Sequence, residues 1–141
     1  ELQLTAAQQT QVQNMATKLA ATQKYHVSSF TATEVGLLEK MALQWAVENQ
    51  FPALDILRIG ATHLVFAGLI HFDAFVPVLS DSQQSTINKL MVMRLFVNAF
   101  RAEVSYTKIL PLIPGILNSV VDLYALNNKN LQIAVCTFMY K

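Results

Sequence analysis

Apolar residues recur along this chain at helical spacing, and no segment shows the strict alternation of a half-buried strand. Leu4, Val12, Met15 and Leu19 give one apolar face to a Gln- and Ala-rich helix over residues 4–22. After a break at residues 25–29, Thr31-Ala32-Thr33-Glu34 has the pattern of a capping box, in which a hydroxyl and a carboxylate three residues apart satisfy each other's backbone N–H. Leu37, Leu38, Met41 and Trp45 then carry a second helix to about Asn49. Pro52 suits the first turn of a third, where its missing N–H is not needed, and Leu54, Leu57 and Ala61 form a stripe that ends near His63. Residues 63–82, with Gly68 and Pro77 inside a nearly continuous apolar run, read as one bent helix or two short ones. The clearest helix covers residues 86–101, with Leu90, Met93, Val97 and Phe100 on one side. Pro111 and Pro114 predict a break in any long helix, residues 115–126 another helix, and Asn127-Asn128-Lys129-Asn130 the caps of a last one over residues 131–141.

These helices echo one another. Phe51-Pro52-Ala53-Leu54-Asp55-Ile56-Leu57-Arg58 returns in outline as Asn88-Lys89-Leu90-Met91-Val92-Met93-Arg94, and Asn88-Lys89-Leu90 returns as Asn128-Lys129-Asn130-Leu131. The spacings, 36 residues from Arg58 to Arg94 and 40 from Asn88 to Asn128, are those of stacked helical repeats. Such a unit cannot bury its apolar face alone. It stacks on its neighbours and leaves one helix per unit lining a common groove, so the predicted fold is an all-α armadillo/HEAT-like solenoid that holds another polypeptide. The last helix closes on Val135, Cys136, Phe138, Met139 and Tyr140 without a polar cap, so residues 1–141 read as a single domain cut in mid-solenoid, prone to self-association through that edge.

Composition adds to this. Apolar residues make up 53% of the chain and charged residues 13%, more core than solvated face, which leaves apolar surface to meet something else. The uncharged apolar stretches at residues 59–72 and 109–121 are shorter than a membrane span, and the formal charge of +1 argues against a general nucleic-acid binder. A single cysteine, Cys136, excludes an internal disulfide and reads as a small buried residue in a reducing compartment. His63 and His71 have no Cys or carboxylate cluster to complete a metal site, and no nucleophile elbow, P-loop or dinucleotide pattern occurs, so neither catalysis nor a cofactor is expected.

Binding chemistry concentrates in the clearest helix. Residues 82–102 carry Lys89, Arg94 and Arg101 and no acidic residue. At 100° per residue, Arg94, Asn98 and Arg101 share an arc of ~60° beside the apolar stripe, whereas Lys89 lies ~140° from Arg94. Arg94 either forks onto a ligand carboxylate, with Asn98 bonding a peptide backbone, or caps carbonyls at a neighbouring helix end. Arg58 occupies the matching place one repeat earlier, with Thr62 in the Asn98 position, and is a groove ligand or the partner of Asp55 three residues before it. Phe72, Phe75 and Tyr106 are candidates for an aromatic pocket.

The segments Glu34-Val35-Gly36-Leu37-Leu38-Glu39-Lys40, Phe51-Pro52-Ala53-Leu54-Asp55-Ile56-Leu57-Arg58, Asn88-Lys89-Leu90-Met91-Val92-Met93-Arg94-Leu95-Phe96-Val97-Asn98-Ala99-Phe100 and Asn128-Lys129-Asn130-Leu131-Gln132-Ile133-Ala134 resemble the PUL domain of the phospholipase-A-two-activating protein family. The resemblance runs from Glu34 onward and covers about the first half of that domain. It implies an armadillo-like fold whose basic groove binds the acidic, aromatic-ended C-terminal tail of the hexameric valosin-containing AAA ATPase. It also implies a cytoplasmic and nuclear setting in ubiquitin-dependent turnover, with ubiquitin itself bound by other domains of the parent protein. The positions that match the pattern as groove residues are Arg58, Arg94 and Asn98, with Arg101 and Lys89 the further basic candidates. Two other roles remain open: a scaffold for self-association or intramolecular docking, and an accessory domain of a papain-like deconjugating peptidase.

Overall fold

The computed structural model describes residues 3–141, and among these there are helices and no strand. Two N-terminal helices, α1 (Ala6–Ala20) and α2 (Ala32–Gln44), precede α3 (Phe51–Gly60). A second unit follows as α4 (Leu64–Leu69), α5 (Val76–Ser80) and α6 (Thr86–Ala99), and a third as α7 (Glu103–Ile109), α8 (Ile113–Ala125) and α9 (Lys129–Tyr140). Single 3-10 turns fill the joints at Thr22–Lys24, Val47–Asn49, Phe72–Phe75 and Leu110–Leu112. From α3 onward each helix packs on its counterpart one unit along, α3 on α6 on α9, α4 on α7, and α5 on α8, while α1 and α2 pack on each other and on α3. The spacing of the sequence echo is thus the repeat of a three-helix stack.

Local chemistry sets most of the boundaries. The Thr31–Glu34 capping box forms in both halves, with Glu34 N–H on Thr31 Oγ1 at 3.2 Å and Thr31 N–H on Glu34 Oε2 at 2.8 Å. Thr5 and Gln8 make a second one at the start of α1. Ser85 and Asn128 cap α6 and α9, and Asn127, in the left-handed region at φ 54°, turns the chain between α8 and α9. His63 starts α4: its Nδ1 accepts from Phe66 N–H at 3.3 Å, so Nε2 carries the proton that is donated to the Tyr25 carbonyl at 3.0 Å. The other end of α4 is held by Lys108 of α7, whose ammonium donates to the carbonyls of Gly68 and Ile70.

Several expectations are corrected. The second helix ends at Gln44 and a separate 3-10 turn follows, while the third ends at Gly60, where the N–H groups of Thr62 and His63 take the carbonyls of Ile59 and Gly60, three residues back, in place of the helical pattern. Residues 63–82 take the second of their two expected forms, two short helices, here joined by a 3-10 turn. The helix over residues 86–101 stops at Ala99, so Arg101 lies in the following turn. Pro111 and Pro114 do not interrupt the chain's winding. They occupy first-turn positions of the 3-10 turn and of α8, where no N–H is missed, and Glu103–Ala125 runs on as 23 helical residues. Its most apolar window has a mean hydropathy of 1.3, long and apolar enough by composition to cross a bilayer; here α7 packs on α4 and α6, and α8 on α5 and α9.

The core runs the length of the stack, from Met15 and Leu38 through Leu57, Phe66, Phe72, Phe75 and Phe96 to Leu123 and Phe138. α6 is its axis, enclosed by α3, α5, α7 and α9, and it buries Asn88, Lys89, Leu90, Met91, Val92, Met93, Leu95, Phe96 and Ala99. Beyond its first turn, only Arg94, Val97 and Asn98 keep partial access to solvent.

Candidate functional site

That remaining strip of α6 faces a cavity of about 240 Å³ lined by Arg58 of α3, Arg94, Val97 and Asn98 of α6, and Ile133, Ala134 and Thr137 of α9. Three successive repeats thus contribute to one concavity. Ala134 stands 40 residues after Arg94, where the first two repeats carry arginine, and its small side chain leaves the room that the cavity occupies.

The three polar groups are held differently. Arg58 directs Nε and Nη2 onto Oδ1 of Asp55 at 2.8 and 2.6 Å, with both side chains partly exposed, and so serves as groove wall and ion-pair member at once. Asn98 donates from Nδ2 to the main-chain carbonyl of Arg58 at 2.8 Å. That carbonyl lies in the last turn of α3, where Thr62 N–H goes instead to Ile59, so the side chain satisfies a group the helix leaves over. The carbonyl can only accept, which places the amide nitrogen on it and leaves Oδ1 as an acceptor. Arg94 has no hydrogen bond or ion pair among the described residues, and helix-end capping on α3 falls to Asn98. A half-buried guanidinium without an anion, beside an amide oxygen without a donor, presents a carboxylate site next to an N–H acceptor.

The other candidates fall elsewhere. Lys89 is only 8% exposed and is enclosed on the buried side of α6, away from the cavity, because α6 is covered on every side but one. Arg101 is exposed but outside the lining, since the arc computed for it requires a helix that has already ended. Thr62 turns its hydroxyl to the Ile59 carbonyl at 2.7 Å and lines a separate apolar cavity with Leu19, Tyr25, Ile56 and Ile59. Phe72 and Phe75 are core residues, and Tyr106 lies on Phe100 with ring centroids 5.8 Å apart, so these three form no aromatic pocket. Cys136 is exposed, correcting its expected burial: it lies on the outer side of α9 in an open trough of about 490 Å³ with Tyr124, Lys129, Gln132, Ile133, Thr137 and Tyr140. Ile133 and Thr137 line both trough and cationic cavity, so the two are continuous. Six of its seven lining residues, Lys129, Gln132, Ile133, Cys136, Thr137 and Tyr140, share one face of α9, a face of mixed polar and apolar residues that carries no hydrophobic stripe to mark it.

A further concavity, about 510 Å³, lies at the opposite end, between the start of α1 and the end of α2. It is lined by Gln3, Leu4, Gln9, Gln44, Trp45, Ala46 and Asn49, and offers amides but no charge. Among the described residues no cluster of His, Cys, Asp and Glu is suited to a metal. His71 instead takes both oxygens of buried Glu39, through its backbone N–H at 2.7 Å and Nδ1 at 2.9 Å, a tie between α2 and the turn after α4.

A stack of three-helix repeats with a small cationic groove across consecutive units defines an armadillo-like protein-interaction module. The PUL domain family model matches residues 1–140, and the chain belongs to that family; the match includes α1, which the motif resemblance from Glu34 onward had not reached. The chain is also 27% identical over 116 residues to the phospholipase A-2-activating protein of Xenopus laevis, a stretch that covers 77% of this chain and 14% of that protein.

Proposed function

We propose that the groove of Arg58, Arg94 and Asn98 binds the acidic C-terminal tail of the hexameric valosin-containing AAA ATPase, and that the domain recruits this ATPase in ubiquitin-dependent protein turnover in the cytoplasm and nucleus. The observation that carries the reading is Arg94, a guanidinium aimed into a cavity built by three repeats and left without an internal anion. An extended peptide needs a partner for its backbone N–H groups and a cation for its carboxylates, and Asn98 Oδ1 and Arg94 supply one of each. The adjoining trough, walled by Tyr124, Ile133 and Tyr140, offers apolar surface to a ring near the end of the tail.

The test is titration of a synthetic acidic, aromatic-ended peptide. Arg94→Ala weakens its binding by about 1.5–3 kcal/mol, the range for a hydrogen bond to a charged group, and leaves the melting temperature near that of wild type. Arg94→Lys recovers only part of the loss, because an ammonium lacks the planar fork. Unchanged affinity in Arg94→Ala sinks the reading. A second reading, self-association, rests on the exposed apolar surface of α8 and α9, where Val121 is 76% and Tyr140 91% exposed.

A further inference from the structure

Two guanidinium groups line the cationic cavity, but only one of them holds an internal anion. Asp55 stands three residues before Arg58 on α3, and its Oδ1 accepts from both Nε and Nη2 of that arginine, one of the two edges on which a guanidinium takes a carboxylate, so the charge of Arg58 is offset while its Nη1–Nη2 edge stays open. The pair is not locked in the core: Asp55 keeps 35% and Arg58 26% of side-chain surface, so Asp55 acts from beside the lining, through the arginine it holds. The two arginines and Asp55 together leave a net charge of +1, satisfied by one carboxylate on Arg94. A second carboxylate meets an arginine already engaged and an aspartate of its own sign.

We propose that Asp55 determines the charge specificity of the groove, offsetting the charge of Arg58 so that the site favours one ligand carboxylate at this point, and not two. This rests on the peptide-binding reading above and adds a residue to it. An exposed i,i+3 pair is weak, so Asp55 acts as a charge filter and not as a lock. Its neutral isostere asparagine keeps the shape of the side chain and the helix while releasing Arg58.

The experiment measures the affinity of two peptides that differ only in carrying one aspartate or two adjacent aspartates, both with amidated C-termini. The proteins compared are wild type, Asp55→Asn, Arg94→Ala and Asp73→Asn, the last changing an exposed aspartate outside the cavity lining. In wild type the second aspartate improves affinity less than about twofold. In Asp55→Asn it improves it a further two- to fivefold, the size of one partly screened charge contact, while Asp73→Asn behaves as wild type. If Asp55→Asn shows the wild-type ratio while Arg94→Ala loses binding, the groove reading stands and the role of Asp55 is overturned. If Arg94→Ala binds both peptides as well as wild type, the groove reading fails and this inference with it. Equal gains in Asp55→Asn and Asp73→Asn also overturn it, since general field and not the pairing with Arg58 would then be responsible.

Discussion

Gly60 ends α3 where a Cβ would come within 2.3 Å of the Phe66 ring, a separation no real contact shows. The ring has nowhere to retreat: Phe66 is fully buried and meets Phe30 edge-on at 5.0 Å, and Phe30 in turn meets His63 at 4.9 Å. Overpacking of this kind costs about 1–3 kcal/mol, more than the roughly 1 kcal/mol that Ala gains over Gly inside a helix. Gly60→Ala is therefore expected to lower unfolding free energy in urea, and Phe66→Leu in the same background to restore part of it. If Gly60→Ala alone is more stable than wild type, the contact is not as tight as described. The helix stops short of His63 because Thr62 and His63 donate to carbonyls three residues back, and the His63 side chain opens α4. Spacing of Leu54, Leu57 and Ala61 predicts the face of α3, but a ring arriving from six residues downstream leaves no periodic trace in the sequence.

At the scale of elements, α6 separates what periodicity reveals from what it hides. Leu90 and Met93 are legible as core because they share a stripe, but Met91, Val92, Leu95 and Phe96 are equally buried, since α6 is enclosed by four helices and a one-sided stripe is the wrong expectation for such a position. α7 escapes notice for the opposite reason: it buries only Ser105 and Ile109, too few for a face. Capping motifs fare better, and the box at Thr31 and the cap at Asn128 are local enough to be read directly. The candidate site was half legible: Arg58, Arg94 and Asn98 meet as the echo implies, whereas Lys89 and Arg101 depend on where α6 is covered and where it ends. The base of α6 holds a further polar element. Asn88 is fully buried and donates to the Val47 carbonyl at 2.9 Å and to Gln84 Oε1 at 3.1 Å, while Gln84 and Gln50 are themselves joined at 3.1 Å and Gln50 reaches the Trp45 carbonyl at 2.7 Å. This chain of amides fastens the start of α6 to the turn before α3. Asn88→Ala removes one hydrogen bond from the Val47 carbonyl, which keeps Gln50 N–H at 3.4 Å, and another from Gln84 Oε1, and is expected to cost about 0.5–1.5 kcal/mol per bond in chemical denaturation, with peptide affinity of the folded fraction unchanged. A loss below ~0.5 kcal/mol would show that water replaces the bond.

Over the whole molecule, burial is uneven. α3 and α6 expose one large apolar residue each, Phe51 and Ile87, whereas α8 and α9 leave Leu117, Val121, Tyr124, Ile133, Met139 and Tyr140 exposed, a run of large apolar residues on adjacent helices. Surface of that kind associates in water, because each apolar group removed from solvent contributes about 25 cal/mol per Å². The protein of residues 1–141 is therefore expected to form dimers or larger species as its concentration rises, through α8 and α9. Sedimentation velocity across a hundredfold range of concentration measures this, and Val121→Asp combined with Met139→Asp should shift the distribution to monomer without loss of helical circular dichroism. Both positions are exposed, so neither change disturbs the core. The cationic cavity makes the outcome informative for function as well: it shares Ile133 and Thr137 with the trough on this surface, so a partner copy seated there would crowd the peptide's approach. Peptide affinity should then fall as protein concentration rises in wild type and stay constant in the double variant. A wild type that remains monomeric throughout would remove the self-association reading and leave the cationic groove of Arg58, Arg94 and Asn98 as the surface that meets a partner.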